Sequence, residues 1–562
     1  MKDELEKQIA AACKEVFDAE TEVALTRPEE QFGDYATNVA LQLSKQIGKN
    51  PREIAEALAV KLRETLTEQI DEVTIAGPGF LNFKLNSASL SETAKTGPAR
   101  IFEGQQVLVE FGDPNPFKAM HLGHLYSTIV GDTISRLLET AGADVKRLSY
   151  HGDVGMHVAK AIWAVKKAVT ASTASIADCF ETDTTIGNYY TQGAKAYDED
   201  SAAKESIETI NQAIYAYHNG EKIDDLVTEI YEIGCRASFD YFDKVFAELG
   251  VHYAQNGRYL ESKSTVFGLE FVKQNIGKVF EESEGAVIYR GEKAGLHTRV
   301  FINSRGLPTY EAKDLGLTEL KHRDFPQAAK SIIITAHEQS EYFKVMLAAL
   351  SEIDPALAAK TSHIAHGFLS LTTGKMSSRS GDVYAATNLM AAVHDAVKAQ
   401  YPEASALTQT ETYLAAIKYA FLKNRIGGDI VFDVEESVAL EGNSGPYLQY
   451  AHARARSILR KAEGTKAQAG GPSDVTFEPD EKSLLRKIGG YSETVDKAIA
   501  EMMPHHVCTY LYELAQTFNR FYEHNRVIGD ERQFTRLLLV GRYAQTLRDG
   551  LELLGIVAPE QM

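Results

Sequence analysis

VEFGDPNPFKAMHLGHLYSTIVGD, residues 109–132, is the stretch that decides the fold. An apolar strand pattern, QQVLVEF at 105–111, passes through a loop punctuated by Gly, Pro and Asn into a helical apolar pattern. His121 and His124 stand three residues apart at the start of that helix and therefore share one face. A helix start leaves backbone N–H groups unpaired and carries the positive end of the helix dipole, so two histidines added there make a seat for a polyphosphate. The spacing also admits a pair of surface residues or half of a metal site; the loop punctuation favours an active-site reading. The helical pattern stops at Gly142, and VKRLSY at 145–150 reads as a second strand. Strand, helix and strand in that order form the crossover unit of a parallel nucleotide-binding sheet.

The rest of the chain divides around this unit. Residues 1–97 read as a small α+β module with an amphipathic opening helix, a turn near Gln31 to Tyr35 and a second helix over 34–48. Asn50 is placed to cap a third helix, with Pro51 at its first position and Glu53 set for a capping box. VTIAGPGFLNFKL closes the module as two strand-like runs split by Gly-Pro-Gly. Residues 98–385 hold the parallel sheet, with a largely helical, charged insertion at about 165–290. After it AVIYR, HTRVFI and SIIITA are strand candidates for the second half of the sheet. Residues 386–562 carry apolar residues at three- and four-residue intervals nearly throughout, the pattern of an all-α helical bundle, interrupted by a loop near 463–474.

At 562 residues the chain is too long for one core and implies two to four domains. No run approaches the eighteen apolar residues of a membrane span, and the opening MKDELEKQIAAACKEV is charged where a signal peptide is apolar, so a cytoplasmic location without membrane association is expected. Cys13, Cys179, Cys235 and Cys508 are too dispersed for a disulfide framework or a zinc site and read as buried thiols. A net charge of -19 argues against nonspecific, charge-driven binding of nucleic acid, while leaving room for a local basic groove.

The motif HLGH at 121–124 resembles the HIGH signature of class I aminoacyl-tRNA synthetases, and the string from Glu110 to Asp132 is similar to that of the arginyl enzymes. Further matches near Gly33, Tyr310, Gln339, Lys375, Tyr447 and Met562 spread the resemblance over nearly the whole chain. It implies a Rossmann-type class I catalytic core, an N-terminal domain that touches the tRNA elbow and a C-terminal anticodon-binding bundle. The implied reaction is ATP-dependent activation of L-arginine to arginyl-adenylate with release of pyrophosphate, then transfer to the 3′-terminal adenosine of tRNA(Arg). Mg²⁺ is expected to accompany ATP without a dedicated protein metal site. A monomer is implied as well. The alternative from another functional class is a tRNA-binding protein derived from this fold that has lost aminoacylation; intact His121, His124 and Lys375 oppose it.

The resemblance assigns residues to each substrate. His121, Gly123 and His124 face the ATP phosphates as hydrogen-bond donors rather than as bases, since the attacking carboxylate needs no activation. GKMSSRSGD at 374–382 looks like the KMSKS loop with Ser378 where a second lysine is usual. Lys375, Met376, Ser377 and Arg379 would close over the triphosphate, and Lys118 would supply the missing charge. Tyr310 and Asp314, four apart in GLPTYEAKDLG, match the holders of the arginine side chain, with Glu110 a further acidic candidate. Asn115 and Gln339 match the residues at the α-amino and carboxylate end. Asp113 replaces a common serine, Tyr126 a common arginine and Val154 a common tryptophan. Tyr447, Tyr450, His452, Arg454 and Arg456, with Arg520 and Arg526, are the candidates for RNA stacking and phosphate contacts.

Overall fold

The computed structural model describes residues 1–372, 384–462 and 476–562. Its centre is a five-stranded, wholly parallel sheet. From one edge to the other the strands are Thr361–His366, Ala328–Ala336, Gln106–Glu110, Asp144–His151 and Arg258–Leu260. In chain order this is the 3-2-1-4-5 arrangement of a doubly wound fold, whose strand order reverses between Gln106–Glu110 and Ala328–Ala336. Ligands of such sheets bind at the carboxyl ends of the strands beside that reversal. The loop 111–121 leaves from there.

Helix Leu122–Thr140 follows that loop and is buried along nearly its whole length between the sheet and the C-terminal helices. Thr133 and Ser135 suit this buried position because their hydroxyls are satisfied within the helix, donating to the carbonyls four residues back at 2.9 and 2.8 Å. Ser127 spans the reversal point, donating to Ile334 O at 3.0 Å and accepting from Gly112 N at 3.1 Å. Gly131 lets the helix lie on Phe111; a Cβ there would come within 2.0 Å of the ring.

Two strand expectations change. Ala286–Tyr289 and Arg299–Ile302 do not join the parallel sheet; with Glu281–Ser283 they form a separate antiparallel sheet of three strands. The stretch 165–290 is not a single helical insertion either, since Arg258–Leu260 within it is the edge strand paired with Ser149–His151. Three residues are too few to show a period-two pattern. The helices from Met156 to Glu248 make one excursion with its own core around Ile162, Ile207 and Ile230.

The N-terminal module is α+β: Lys2–Phe17, Val39–Ile47 and Pro51–Thr65 pack on an antiparallel sheet of Tyr35–Thr37, Phe80–Leu85 and Ile70–Ala76. Asn50 caps the third helix by accepting from Arg52 N, with Pro51 at its first position. Gly33 has φ 106° and lies against Phe83 O, where a Cβ would sit at 2.7 Å. This turn docks on the C-terminal helices through the Arg27–Glu493 ion pair at 2.8 Å and through Arg486, which donates to Pro28 O and Gly33 O. Among the described residues the C-terminal part holds helices between Ala386 and Leu553 and the short strand Ile430–Phe432, which pairs with Leu369–Leu371; the loop expected near 463–474 lies outside the described residues. All four cysteines are buried and free. No helix among the described residues is long and apolar enough to cross a membrane.

Candidate active site

The loop after the first strand is stitched to the end of the second. Asp113 Oδ1 accepts from Tyr150 N and Asn115 Oδ1 from Gly152 N, both at 2.8 Å, while Pro114 O meets His151 Nδ1 at 2.6 Å. These side chains replace ladder partners that the strand ends lack. The loop therefore has a fixed shape, with Asp113 at φ 50° and Phe117 at φ 64°.

At its end His121 and His124 cap the helix reciprocally. His121 Nδ1 accepts from Gly123 N and His124 N, and His124 Nδ1 accepts from His121 N at 3.3 Å. Their rings stack at 3.6 Å between centroids. The histidines thus engage the N–H groups of His121, Gly123 and His124, which the sequence reading leaves free for a phosphate. Burial, with Lys118 beside it, lowers His121 to about 4, and burial with His121 and Lys118 lowers His124 well below the ordinary histidine value. Both rings are neutral at physiological pH. With each Nδ1 accepting a backbone proton, each Nε2 carries the hydrogen. Lys118 Nζ lies 4.4 Å from the Tyr190 ring centroid, on a helix of the excursion, and its own pKa is lowered by burial. Ala385 pairs with His121 and Ala386 N donates to Met120 O at 2.7 Å. Lys375, Met376, Ser377, Ser378 and Arg379 lie outside the described residues.

Beside this cap, toward the sheet, sits a group of carboxyls. Glu110 is buried and accepts from the fully buried Lys321 at 2.8 Å, so its charge is already matched within the chain. Asp314 is buried on helix Tyr310–Asp324; burial first and Glu110 second raise it to about 8. Burial and Glu110 likewise push Asp113 well up, against the N–H of Tyr150. One lysine against three carboxyls leaves a site that is short of positive charge. Tyr310, four residues before Asp314 on the same helix, is 68% exposed and stands at the rim. Gln339 ends the short helix His337–Gln339 that follows strand Ala328–Ala336, and Tyr342 donates to its Oε1 at 3.3 Å.

Three contributors carry no sequence signal. Lys321 pairs with Glu110, Lys313 pairs with the buried Glu261 at 2.5 Å and lies 5.2 Å from the Tyr310 ring, and the Tyr342 hydroxyl meets Gln339. Tyr126 is buried edge-on to His366 and Phe421 with its hydroxyl unpartnered, and Val154 is buried in the core of the excursion.

The C-terminal candidates divide. On helix Gly445–Ala462, Tyr447 and Arg454 reach helix His505–His524, where Asn519 donates to the Tyr447 hydroxyl at 3.0 Å and Arg454 lies 4.8 Å from the Tyr522 ring centroid, while Tyr450 is exposed. Arg520 is exposed beside Asn519. Arg456 is engaged otherwise, bound to Glu560 at 2.6 Å, as are Arg460 and Arg548, so it fastens the C-terminal tail. His452 is buried against Pro559 O, and Arg526 donates to Ile528 O. Those two side chains, like that of Arg456, are committed inside the chain.

Comparison with known proteins covers all three parts. Family models match at residues 3–85 (arginyl tRNA synthetase N terminal domain), 86–434 (tRNA synthetases class I (R), catalytic domain) and 448–562 (DALR anticodon binding domain). An arginine–tRNA ligase of Synechococcus elongatus is 30% identical over 100% of this chain and 99% of its own length; one of Crocosphaera subtropica is 32% identical over 98% and 96%. Among solved structures, Thermus thermophilus arginyl-tRNA synthetase matches over the full length of both chains with a TM-score of 0.82 at 26% identity. The Plasmodium falciparum arginyl-tRNA synthetase shares the fold, with a TM-score of 0.77 at 21% identity over 100% of this chain and 99% of that one. With sequence and structure in agreement from end to end, the chain belongs to the arginine–tRNA ligase family of class I aminoacyl-tRNA synthetases.

Proposed function

We propose that arginine–tRNA ligation, the activity of this family, proceeds here on the divided site just described. The carrying observation is the juxtaposition of a neutral, donor-presenting histidine pair with a buried carboxyl group set short of cations, both at the sheet's reversal point. ATP takes the first part and arginine the second. His121 and His124 donate Nε2–H to the phosphates. Lys118, close enough to lower both histidines, adds positive charge as pyrophosphate leaves. Lys375 and Arg379, with Met376 and Ser377, complete that role. Mg²⁺ enters with the nucleotide, held by phosphate and water.

In the second part Asp314 receives the guanidinium, whose planar donor fork suits a carboxylate, with Tyr310 as the flat wall at the rim. Asn115 and Gln339 take the amino and carboxylate end; with Asn115 Oδ1 held by Gly152 N, its Nδ2–H₂ group is the part left to donate to the substrate. Glu110 and Asp113 contribute field rather than direct contact, because Lys321 and Tyr150 N already occupy them. The arginine carboxylate attacks the α-phosphorus, and the 3′-terminal adenosine of tRNA(Arg) then attacks the adenylate. Tyr447, Tyr450, Arg454 and Arg520 form the face offered to the anticodon arm, and the N-terminal turn around Gly33 lies on the side of the elbow. The reading takes residues 1–97, 98–385 and 386–562 as the three working units of a monomer acting in the cytoplasm.

Arginine-dependent exchange of pyrophosphate into ATP, measured with tRNA present, tests the site. Exchange that Asp314→Asn abolishes supports it; exchange with an unaltered arginine KM in that variant contradicts it.

A further inference from the structure

Resting on the assignment of Lys118 to the ATP phosphates, we infer that Ser238 is a positioning residue for that lysine: from a helix of the excursion it holds the backbone immediately before Lys118 and so aims the side chain at the nucleotide. Ser238 stands on helix Asp225–Glu248, is fully buried, and its Oγ accepts from Phe117 N at 3.0 Å. Phe117 is the last residue before Lys118, and its backbone lies in the left-handed region at φ 64°. That region is sparsely populated for a residue with a large side chain, so it persists only where the surroundings over-determine it.

Here one helix supplies most of that constraint. The Phe117 ring is fully buried and enters the core of the excursion, not that of the sheet. It lies against Gly234, one turn before Ser238 on the same helix, where a Cβ would come within 2.2 Å of the ring. It is also stacked on Tyr231 at 6.2 Å and edge-on to Phe180 at 5.7 Å. Gly234 and Ser238 share a face of the helix, so one receives the ring and the other the N–H. Lys118 is thereby held at both ends. Ser238 fixes its root through Phe117, and Tyr190 of helix Asp183–Glu199 meets its tip, with the ring centroid 4.4 Å from Nζ. The earlier part of the loop does not depend on this contact, since Asp113 and Asn115 are held by Tyr150 N and Gly152 N. A lysine is a long, flexible side chain, and fixing where it begins and where it ends reduces the entropy lost when its charge meets the phosphates.

Ser238→Ala removes the acceptor and leaves Gly234 and the ring slot in place. The dissociation constant of ATP is read from saturation curves by equilibrium dialysis, which makes it independent of how much of the protein is folded. It is measured for the unaltered protein, for Ser238→Ala, for Lys118→Ala and for the double variant. The expected result is ATP binding weakened about three- to tenfold by Ser238→Ala, the effect of one hydrogen bond, and by less than about twofold when Lys118 is already alanine. Arginine KM in pyrophosphate exchange with tRNA present stays unchanged in Ser238→Ala. Should that variant not accumulate as folded protein, Ser238→Cys, of nearly the same size and a weaker acceptor, carries the same comparison. Unchanged ATP binding in Ser238→Ala, an equal loss with and without Lys118, or an arginine KM raised in step overturns the inference and leaves Ser238 a packing residue of the excursion. Lys118→Ala alone separates the two claims: if it leaves ATP binding unaltered, the assignment of Lys118 itself fails.

Discussion

His121 and His124 hold each other in one tautomer. Each Nδ1 accepts a backbone proton at the start of helix Leu122–Thr140, and the rings stack at 3.6 Å, so both Nε2–H groups point away from the helix as donors. The arrangement converts a helix cap, ordinarily worth about 1 kcal/mol of stability, into a device for binding phosphate with neutral groups that pay no desolvation of charge.

Because both histidines titrate far below neutrality, activation should show no acidic limb from them between pH 6 and 8. The ring proton resonances of the pair should stay fixed over that range in the free protein. A histidine titrating near 6.5 at either position would contradict the cap. His124→Ala should lower kcat for pyrophosphate exchange by about 10²-fold or more, the loss of one preorganised donor.

Lys118 is held over Tyr190, so its charge depends on a helix of the excursion. Lys118→Ala should depress adenylate formation severely and leave tRNA affinity nearly unchanged. Tyr190→Leu, which removes the aromatic face alone, should raise the ATP KM by a smaller factor, about two- to fivefold. A fully active Lys118→Ala enzyme would remove the residue from the mechanism.

Asp314 gives a pH dependence with a definite sign. Its folded carboxyl is raised to about 8, above the unfolded value, so below that pH it binds a proton that a guanidinium must displace. Arginine affinity should therefore rise with pH up to about 8, by at most ~tenfold per unit, and level off above it, with proton uptake by the buffer on binding at pH 7. The same raised carboxyl costs stability as pH rises from about 4 to 8. Calorimetry of arginine binding in two buffers of different ionisation enthalpy reads the released proton directly; a flat affinity between pH 6 and 8 would contradict an ionised Asp314 partner.

Much of this site was legible in the sequence because it is local. The strand, loop and helix at 105–140, the two histidines and the four-residue spacing of Tyr310 and Asp314 are all set within one element or one turn. What stayed hidden is carried by contacts between distant parts. Lys321 matches Glu110 from 211 residues away, and Lys313 meets Glu261 across 52. A buried lysine inside a helix looks like any surface lysine until the sheet it faces is known. Arg456 shows the same limit: its ion-pair partner, Glu560, lies in the tail 104 residues on.

Glu110 and Lys321 also make a stability prediction. Both are buried, so Lys321→Met should destabilise the catalytic core by about 3–5 kcal/mol by stranding a carboxylate, whereas Lys321→Met with Glu110→Gln should recover much of the loss. Equal losses in single and double variants, followed by denaturant unfolding, would show that the charge of Glu110 is not what Lys321 offsets.

Aminoacylation of total homologous tRNA, with ATP, Mg²⁺ and each of the twenty amino acids supplied singly, tests the central claim most directly. The account predicts charging with arginine alone, abolished by Asp314→Asn. Charging with another amino acid would contradict the carboxyl pocket while keeping the class I chemistry, and tRNA binding without any charging would contradict the enzyme.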